Sequence, residues 1–346
     1  MFKGHSRRGG FSTRTHFPDR PGRAKPGRNE ASVGRIMSAM ATALGAAMSR
    51  FNNLPYLLIG ISTLLWGAHV VAGRLSIGQI SPMSVTCGRW FVVCALLLAT
   101  TRRRLVAEWP LVAPHLLKLA VLGAAGFTLF NAFFYVAAQY TTAVNMAVLQ
   151  GTYPALVLFG MALIFRTPVT LLQWLGILVT FCGVLMIASQ GEISTLLTLT
   201  FNRGDLLILA ATAVFAAYTL GLRDRPKASA LVVFSVLAAS AFLSSIPFLA
   251  AEMAMGLTYA PSLKGLLVLA FVAIGPSLLG QIFFIRGVEM IGPSRAGVFY
   301  NLVPVFGALL AVAILGEPFR LYHAIAFVLV LGGIWLSERR IGRVAA

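Results

Sequence analysis

Residues 148–168 read VLQGTYPALVLFGMALIFRTP, and residues 298–318 read VFYNLVPVFGALLAVAILGEP. The two stretches align at an offset of 150, which pairs Pro154 with Pro304 and the proline that ends each stretch with its counterpart. Because a proline inside a helix costs about 3 kcal/mol, prolines at matching places in two apolar runs are a specific signal. The stretches therefore predict an internal repeat built from long apolar helices.

The repeat extends over much of the chain on either side of these stretches. The offset of 150 pairs Asn131 with Gln281, and an offset of 149 relates residues 66–74 to residues 215–223. One near-constant shift across several apolar runs is hard to obtain from composition alone. We infer that the two halves of the chain are copies of one helical unit.

The composition predicts that these helices lie in a membrane. Hydrophobic residues make up 58% of the chain and charged residues 11%, whereas an ordinary soluble domain carries about 25% charged residues. A soluble chain of this size cannot bury so much apolar side chain, so part of its solvent is lipid. With about 20 apolar residues in each span, the region from residue 54 onward has room for about ten spans.

Short polar loops divide this region into ten predicted spans. They cover residues 54–75, 84–101, 116–138, 143–165, 171–189, 205–222, 230–250, 265–285, 294–315 and 322–337. Each half holds five spans, and an odd number makes the second copy enter the bilayer from the opposite side. The predicted fold class is therefore an all-α integral membrane protein of ten transmembrane helices. Its two inverted five-helix repeats cover residues 54–189 and 205–338.

Loop charge predicts the orientation of the spans. Basic clusters occupy residues 102–104, 223–227 and 339–343, and counting spans places all three on the side of the amino terminus. The loops at residues 76–83 and 139–142 carry no charge. Basic loops remain cytoplasmic in membrane proteins, so both termini are predicted to be cytoplasmic.

The formal net charge of +18 does not indicate a nucleic-acid partner, because the basic residues mostly punctuate apolar runs. Residues 1–50 form a separate basic segment rich in Gly, Arg, Pro and Ser, and such a composition predicts a disordered extension. Two other interpretations stay open: an organelle transit peptide, or translation that starts naturally at Met48. The weakly apolar stretch at residues 36–48 is too short to span.

Several short motifs now make a family resemblance visible. They are Leu65-Trp66-Gly67, Arg89-Trp90-Phe91, Tyr153-Pro154, Gln173-Trp174-Leu175-Gly176, Val303-Pro304 and Leu315-Gly316-Glu317-Pro318. In this order, and with two five-helix copies, the chain resembles the drug/metabolite transporter superfamily and, within it, the EamA-type ten-helix transporters. The resemblance implies a multi-pass protein of a bacterial inner membrane that exports or exchanges small metabolites, such as amino acids and their derivatives.

One position departs from the pattern that the resemblance implies. The family usually places a Glu at the end of the fourth span, equivalent to Glu317 in the ninth, and this chain has Thr167 there. Any role of that Glu in gating or folding is therefore in doubt for the first half.

Inverted repeats also predict a mechanism. Two inverted copies supply two nearly equivalent packings, one open inward and one open outward, and their exchange around a central site gives alternating access. Other interpretations stay open: a carrier of sugar phosphates or nucleotide sugars on the same fold, a passive channel, and a bundle with no transport activity.

The sequence lacks a Gly-rich Lys-Ser/Thr phosphate loop and a His-Glu-x-x-His motif, and its three cysteines lack metal-ligand spacing. We therefore expect no enzyme activity, cofactor or metal. The expected partners are a small-molecule substrate and the lipid bilayer, and the oligomeric state is left open.

Polar side chains within the spans are the candidate site, because a charge at bilayer depth costs ~2.5–3.5 kcal/mol on insertion scales. The candidate substrate-binding residues are His69, Asn131, Tyr135, Asn145, Gln150, Tyr153, Tyr218, Gln281, Tyr300 and Asn301. The candidate structural or gating residues are Trp66, Arg74, Arg89, Pro154, Pro304 and Glu317. The alternative for the polar set is helix–helix hydrogen bonding, worth ~0.6 kcal/mol on average.

Three of these candidates have sharper interpretations. Asn131 and Gln281 are repeat-related, so they are expected on either side of the pseudo-twofold axis. Arg89 is either an anchor for a substrate carboxylate or a structural arginine near a helix end. No acidic residue falls at mid-span, which argues against a sodium site or a carboxylate proton relay there and leaves His69 as a candidate proton site.

Overall fold

Helices account for all the regular secondary structure in residues 54–192, 202–291 and 299–338, which are the residues that the computed structural model describes. The predictions for residues 1–50 fall outside these ranges. The predicted all-helical fold is confirmed for the described part of the chain.

The helices of the first half begin close to the starts of the predicted segments. They are α1 (Pro55–Leu75), α2 (Pro82–Val112), α3 (Leu116–Gly123), α4 (Phe130–Ala137), α5 (Ala143–Gln150), α6 (Tyr153–Phe165) and α7 (Leu171–Ala188). A six-residue π-helical segment, Ala124–Leu129, joins α3 to α4. The start of α7 is fixed by a capping box, in which the Thr170 side chain and the Gln173 side chain accept each other's backbone N–H groups.

The helices of the second half repeat this order. They are α8 (Arg203–Gly221), α9 (Ala230–Ala254), α10 (Leu263–Val272), α11 (Gly280–Ile291), α12 (Leu302–Leu315) and α13 (Leu321–Glu338). A second π-helical segment, Ala273–Leu279, joins α10 to α11 at the place that corresponds to the first one.

Length and composition qualify six described helical stretches as membrane spans. They are 55–75, 82–137, 143–165, 203–224, 230–254 and 263–291, and shorter apolar helices occupy 171–187, 302–315 and 321–336. The stretch 82–137 contains two of the predicted spans, because α2 runs on into α3 without a loop. The number of ten crossings and the side of the termini remain predictions.

Two features of the helices were not predicted. The second predicted span ends at residue 101, yet α2 continues through Arg102–Arg104 to Val112, since arginine is a good helix former. The extension has a structural partner, because the Glu108 carboxylate accepts the backbone N–H of Ser229 at 2.6 Å where α9 begins. The π-helical segments also have no counterpart in the sequence-based segments.

The two halves pack against each other through equivalent contacts. Helix α7 packs on its counterpart α13, and α2 packs on its counterpart α9. Helix α1 packs on α11 and α12, and its counterpart α8 packs on α4 and α6. Exchanging the halves therefore reproduces these packing pairs, as a pseudo-twofold relation between two repeats requires.

Repeat-related glycines mark the contact between α7 and α13. A Cβ atom added to Gly183 would lie 3.0 Å from the Ala326 carbonyl oxygen and 2.8 Å from a Val330 methyl group. A Cβ atom added to Gly333 would lie 2.5 Å from the Gly176 carbonyl oxygen. The helices approach closely at both places because neither glycine has a side chain, which is how small residues favour helix association in membranes.

We predict that Gly333→Ala destabilises the folded protein, whereas Gly332→Ala does not. The added methyl group at residue 333 meets the backbone of α7, while the same group at Gly332 meets nothing within 4 Å. Overpacking costs about 1–3 kcal/mol, so the thermal unfolding midpoint in detergent should fall only for the first variant. Equal midpoints for the two variants would contradict the close helix contact.

Candidate functional site

The Arg89 guanidinium lies at the centre of the site, on α2, and only 4% of the residue is exposed. Its Nη1 donates to the Asn131 Oδ1 at 2.6 Å and to the Tyr135 hydroxyl at 3.1 Å. Its Nε donates to the Ser277 Oγ at 2.9 Å, and Nη2 donates to the same hydroxyl. Side chains from both repeats therefore hold this one cation.

The His69 imidazole completes the group from α1. Its Nε2 lies 2.8 Å from the Arg89 Nη1 and 3.0 Å from the Tyr135 hydroxyl, and its ring stacks on Phe134 with centroids 4.3 Å apart. A guanidinium has only donors, so Nε2 is the acceptor and the imidazole is neutral with its proton on Nδ1.

The charge of Arg89 is not balanced by a nearby carboxylate. Its hydrogen-bond partners His69, Asn131, Tyr135 and Ser277 are all neutral acceptors, and no salt bridge to Arg89 is present among residues 54–192, 202–291 and 299–338. Neutral acceptors satisfy the N–H groups, but they leave a full positive charge buried at a cost that a bound anion would offset.

This group borders a cavity of about 80 Å³ between the two halves. Its lining residues are Trp66, His69, Arg89, Trp90, Gly126, Phe127, Phe130, Asn131, Gln150, Phe215, Pro276, Ser277, Gln281, Tyr300 and Val303. We call it the central cavity. Binding pockets for small molecules usually measure about 300–1,000 Å³, so the central cavity is smaller than such pockets.

Five of the ten predicted substrate-binding residues line the central cavity. His69, Asn131, Gln150, Gln281 and Tyr300 line it, together with Trp66 and Arg89 from the predicted structural set, and Tyr135 bonds to two of them.

Two predicted tyrosines stand immediately behind this lining. The Tyr153 ring lies 4.7 Å from the Tyr300 ring, and its hydroxyl donates to the Thr219 hydroxyl at 3.0 Å. The Tyr218 ring packs on Phe127 and Phe215, with centroids 5.2 and 5.3 Å away.

The two prolines of the repeat lie at helix starts. Pro154 is the second residue of α6, where the turn at residues 151–152 interrupts the fourth predicted span, and Pro304 is the third residue of α12. The first turn of a helix has N–H groups without intrahelical partners, so proline is tolerated there.

The remaining predicted residues do not line the central cavity. Asn301 immediately precedes α12 and is not among the residues that line the cavity. Asn145, Arg74 and Glu317 line a second, larger pocket of about 390 Å³ at the ends of α1 and α4 and the starts of α5 and α13. We call it the end pocket.

Glu317 ties the two repeats together at the end pocket. Its carboxylate oxygens accept the backbone N–H groups of Ala143 and Val144 at 2.9 and 3.0 Å, where α5 begins. The Arg74 Nε lies 3.6 Å from the same carboxylate, and its Nη1 donates to the Ala138 carbonyl at 2.6 Å. A carboxylate at a helix start is favourable because it meets unpaired N–H groups and the positive end of the helix dipole.

Sequence reasoning missed Ser277 and the π-helical turns that frame the cavity. Ser277 lies within the second π-helical segment, and the neighbouring Pro276 carbonyl accepts the Trp66 Nε1–H at 3.0 Å. Comparison of the two repeats did not indicate Ser277, because its counterpart at the offset of 150 is the apolar Phe127. The available signal was the Gly275-Pro276 pair in an apolar run, since irregular helix turns often mark functional sites.

Neither pocket resembles a metal centre. Among the residues that the structure describes, no three His, Cys, Asp or Glu side chains are grouped closely enough to hold a metal ion.

Comparison with known proteins identifies the family. The EamA-like transporter family matches residues 53–189 and 202–339, once for each half of the chain. The chain is 30% identical over 291 residues to the uncharacterized transporter YyaM of Bacillus subtilis, covering 82% of this chain and 92% of that protein. It is 27% identical over 300 residues to an uncharacterized transporter of Archaeoglobus fulgidus, covering 84% and 99%.

Two further likenesses agree with this assignment. The chain is 28% identical over 237 residues to the uncharacterized inner membrane transporter YicL of Salmonella typhimurium, covering 66% of this chain and 76% of that protein. A solved crystal structure shares the fold with a TM-score of 0.57 at 19% identity, covering 82% of this chain and 96% of that one. The apolar helices, the paired halves and the family match lead to one conclusion: this chain is a multi-pass membrane protein that belongs to the EamA-like transporter family.

Proposed function

We propose that the protein carries small metabolites with a carboxylate group, such as amino acids or their derivatives, by alternating access. One observation carries the proposal: the buried Arg89 cation borders a cavity between the two repeats, and its hydrogen-bond partners are neutral. A carboxylate in the cavity supplies the missing negative charge, and it can replace neutral acceptors on the planar guanidinium.

The surroundings of Arg89 favour a substrate that also has an apolar part. Aromatic rings of Trp66, Trp90, Phe130, Phe215 and Tyr300 line much of the central cavity. Such rings bury apolar surface, while a few polar groups fix the orientation of the ligand. Asn131 and Gln281 provide amide groups from repeat-related positions, and these can bond an amino group or a second polar group of the substrate.

Alternating access explains why the central cavity is small. A cavity of about 80 Å³ holds no metabolite of ordinary size, so the substrate enters only when one end of the bundle opens. The equivalent packing pairs of the two halves support two related arrangements of the same helices. Exchange between them would expose the central cavity first on one face and then on the other.

The basic clusters predict that the end pocket opens on the non-cytoplasmic face of the inner membrane. Efflux or exchange of metabolites is the direction that the family resemblance favours.

A carrier of sugar phosphates or nucleotide sugars is the second candidate, but a phosphate group usually meets several cations. Arg89 is the one Lys or Arg among the described residues that line the central cavity, which favours a monocarboxylate.

A ligand panel tests the substrate class. We expect amino acids to raise the thermal unfolding midpoint of the purified protein, and the corresponding amides, which lack the carboxylate, to raise it less. Arg89→Lys keeps the charge but loses the planar fork, so it should weaken the stabilisation by about tenfold in apparent affinity. Stabilisation by sugar phosphates alone would replace the proposed substrate class with the second candidate.

Side-chain truncations test the cavity itself. Asn131→Ala and Gln281→Ala should each impair transport in proteoliposomes while leaving folded, monodisperse protein, because each removes a polar group from the cavity wall. Thr100→Ala is the matched control, since the Thr100 hydroxyl bonds only to carbonyls of its own helix. Uptake at the unmodified rate in both cavity variants would remove the proposed site.

Counterflow distinguishes a carrier from a channel. Proteoliposomes loaded with unlabelled substrate should accumulate labelled substrate transiently, and the initial rate should saturate with concentration, because a carrier exposes its site to one face at a time. A linear rate without transient accumulation would support the passive channel instead.

A further inference from the structure

A second buried polar cluster joins three helices beside the end pocket. Asp205 on α8, Asn145 on α5 and His323 on α13 are 1%, 3% and 3% exposed. The His323 Nε2 lies 3.1 Å from the Asn145 Oδ1, and the Asn145 Nδ2 lies 3.4 Å from the Asp205 Oδ1. The Thr141 hydroxyl donates to the same Asp205 oxygen at 2.5 Å. The chain from His323 to Asp205 therefore connects a titratable ring to a carboxylate through one amide.

The hydrogen bonds fix the state of His323. Its Nδ1 accepts the backbone N–H of Arg320 at 2.9 Å, at the start of α13. A nitrogen that accepts carries no proton, so the proton of the neutral ring is on Nε2 and is donated to the Asn145 Oδ1. His323 thus caps α13 only while the ring is neutral.

The other repeat performs the same capping task without a titratable group. The Gln173 Oε1 accepts the backbone N–H of Thr170 at 2.9 Å, where α7 begins. The offset of 150 pairs Gln173 with His323 and Thr170 with Arg320. Equivalent ends of the two repeats therefore differ in one respect: a proton can break the cap of α13, and it cannot break the cap of α7.

Protonation of His323 has a definite structural consequence. A proton from water in the end pocket binds Nδ1, so the ring carries N–H groups on both nitrogens and can no longer accept from the Arg320 N–H. The new positive charge at the start of α13 is also unfavourable to the helix dipole. The charged or titratable groups around the end pocket are Arg74, Tyr140, Glu317, Arg320 and Tyr322, with Asp205 behind Asn145.

The cluster lies where the two repeats meet. Helix α5 belongs to the first repeat, α8 and α13 belong to the second, and the end pocket beside them is bounded by Glu317 and Arg74 from opposite repeats. Asp205 is the carboxylate that an imidazolium at residue 323 would attract. Uptake of a proton therefore removes a helix cap and places a positive charge beside the contact between the repeats.

We propose that the chain His323–Asn145–Asp205 is a proton-binding site that controls the opening of the end pocket, with protonation of His323 releasing the start of α13. The proposal rests on the proposed alternating access for its role in transport. The binding of the proton and the opening of the pocket can be measured without any substrate.

The experiment follows the accessibility of the end pocket as a function of pH. A Gln139→Cys probe is introduced into protein in which Cys87, Cys94 and Cys182 are replaced by alanine, and a water-soluble label that reacts evenly between pH 5 and 8 is applied in nanodiscs. Tyr140→Cys serves as a second probe. We expect the labelling rate, corrected for a free thiol, to rise at least about threefold as the pH is lowered from 8 to 5.

His323→Gln is the matched variant, because it installs the cap that the other repeat already uses. It should fold and transport, with a labelling rate that does not change with pH. Asp205→Asn should move the transition to lower pH, since the carboxylate that favours the imidazolium is lost. A His323→Gln profile that still follows the unmodified protein, with either probe, would overturn the proposal. A proton-dependent profile without any counterflow would leave the proton site standing and reject the proposed transport function.

Discussion

One buried cation organises the centre of this protein. Because Arg89 is buried, acceptors from several helices have to take the place of water. Its N–H groups reach Asn131, Tyr135, His69 and Ser277 in both halves of the chain. Because these acceptors are neutral, the helices are held in position without cancelling the charge. The N–H groups of Arg89 thus have acceptors, but its positive charge has no partner. The central cavity beside it is therefore a candidate binding site.

The two repeats share their helix packing but differ in their polar side chains. The glycine contacts between α7 and α13 are reciprocal, and α6 and α12 are each followed by a residue in the left-handed conformation, Arg166 and Gly316. The polar groups are not reciprocal, because the equivalents of Glu317 and Ser277 are Thr167 and Phe127. An inverted repeat with identical ends would favour neither face. Under the proposed alternating access, such differences would therefore set the relative stability of the two open states.

The repeat pattern explains how much of the candidate site could be predicted. Asn131 and Gln281 could be found because polar residues recur at the offset of 150 inside apolar runs, and both line the central cavity. Asn145 was named as a candidate of the same kind but lies beside the end pocket, since it is the third residue of α5. Residue type and depth along a span predict which side chains need a polar partner, but they do not predict which partner is reached.

The sequence by itself determined the class of structure: apolar runs of bilayer length force helices, and the paired prolines and constant offset require two copies of one unit. Only the tertiary structure decided which side chains meet. Ser277 reaches Arg89 because a π-helical turn rotates it inward, and His323 reaches Asn145 because α13 begins beside α5. Helical periodicity is a local property, whereas contacts between residues 178 or 188 positions apart depend on how the helices cross and where their turns are irregular.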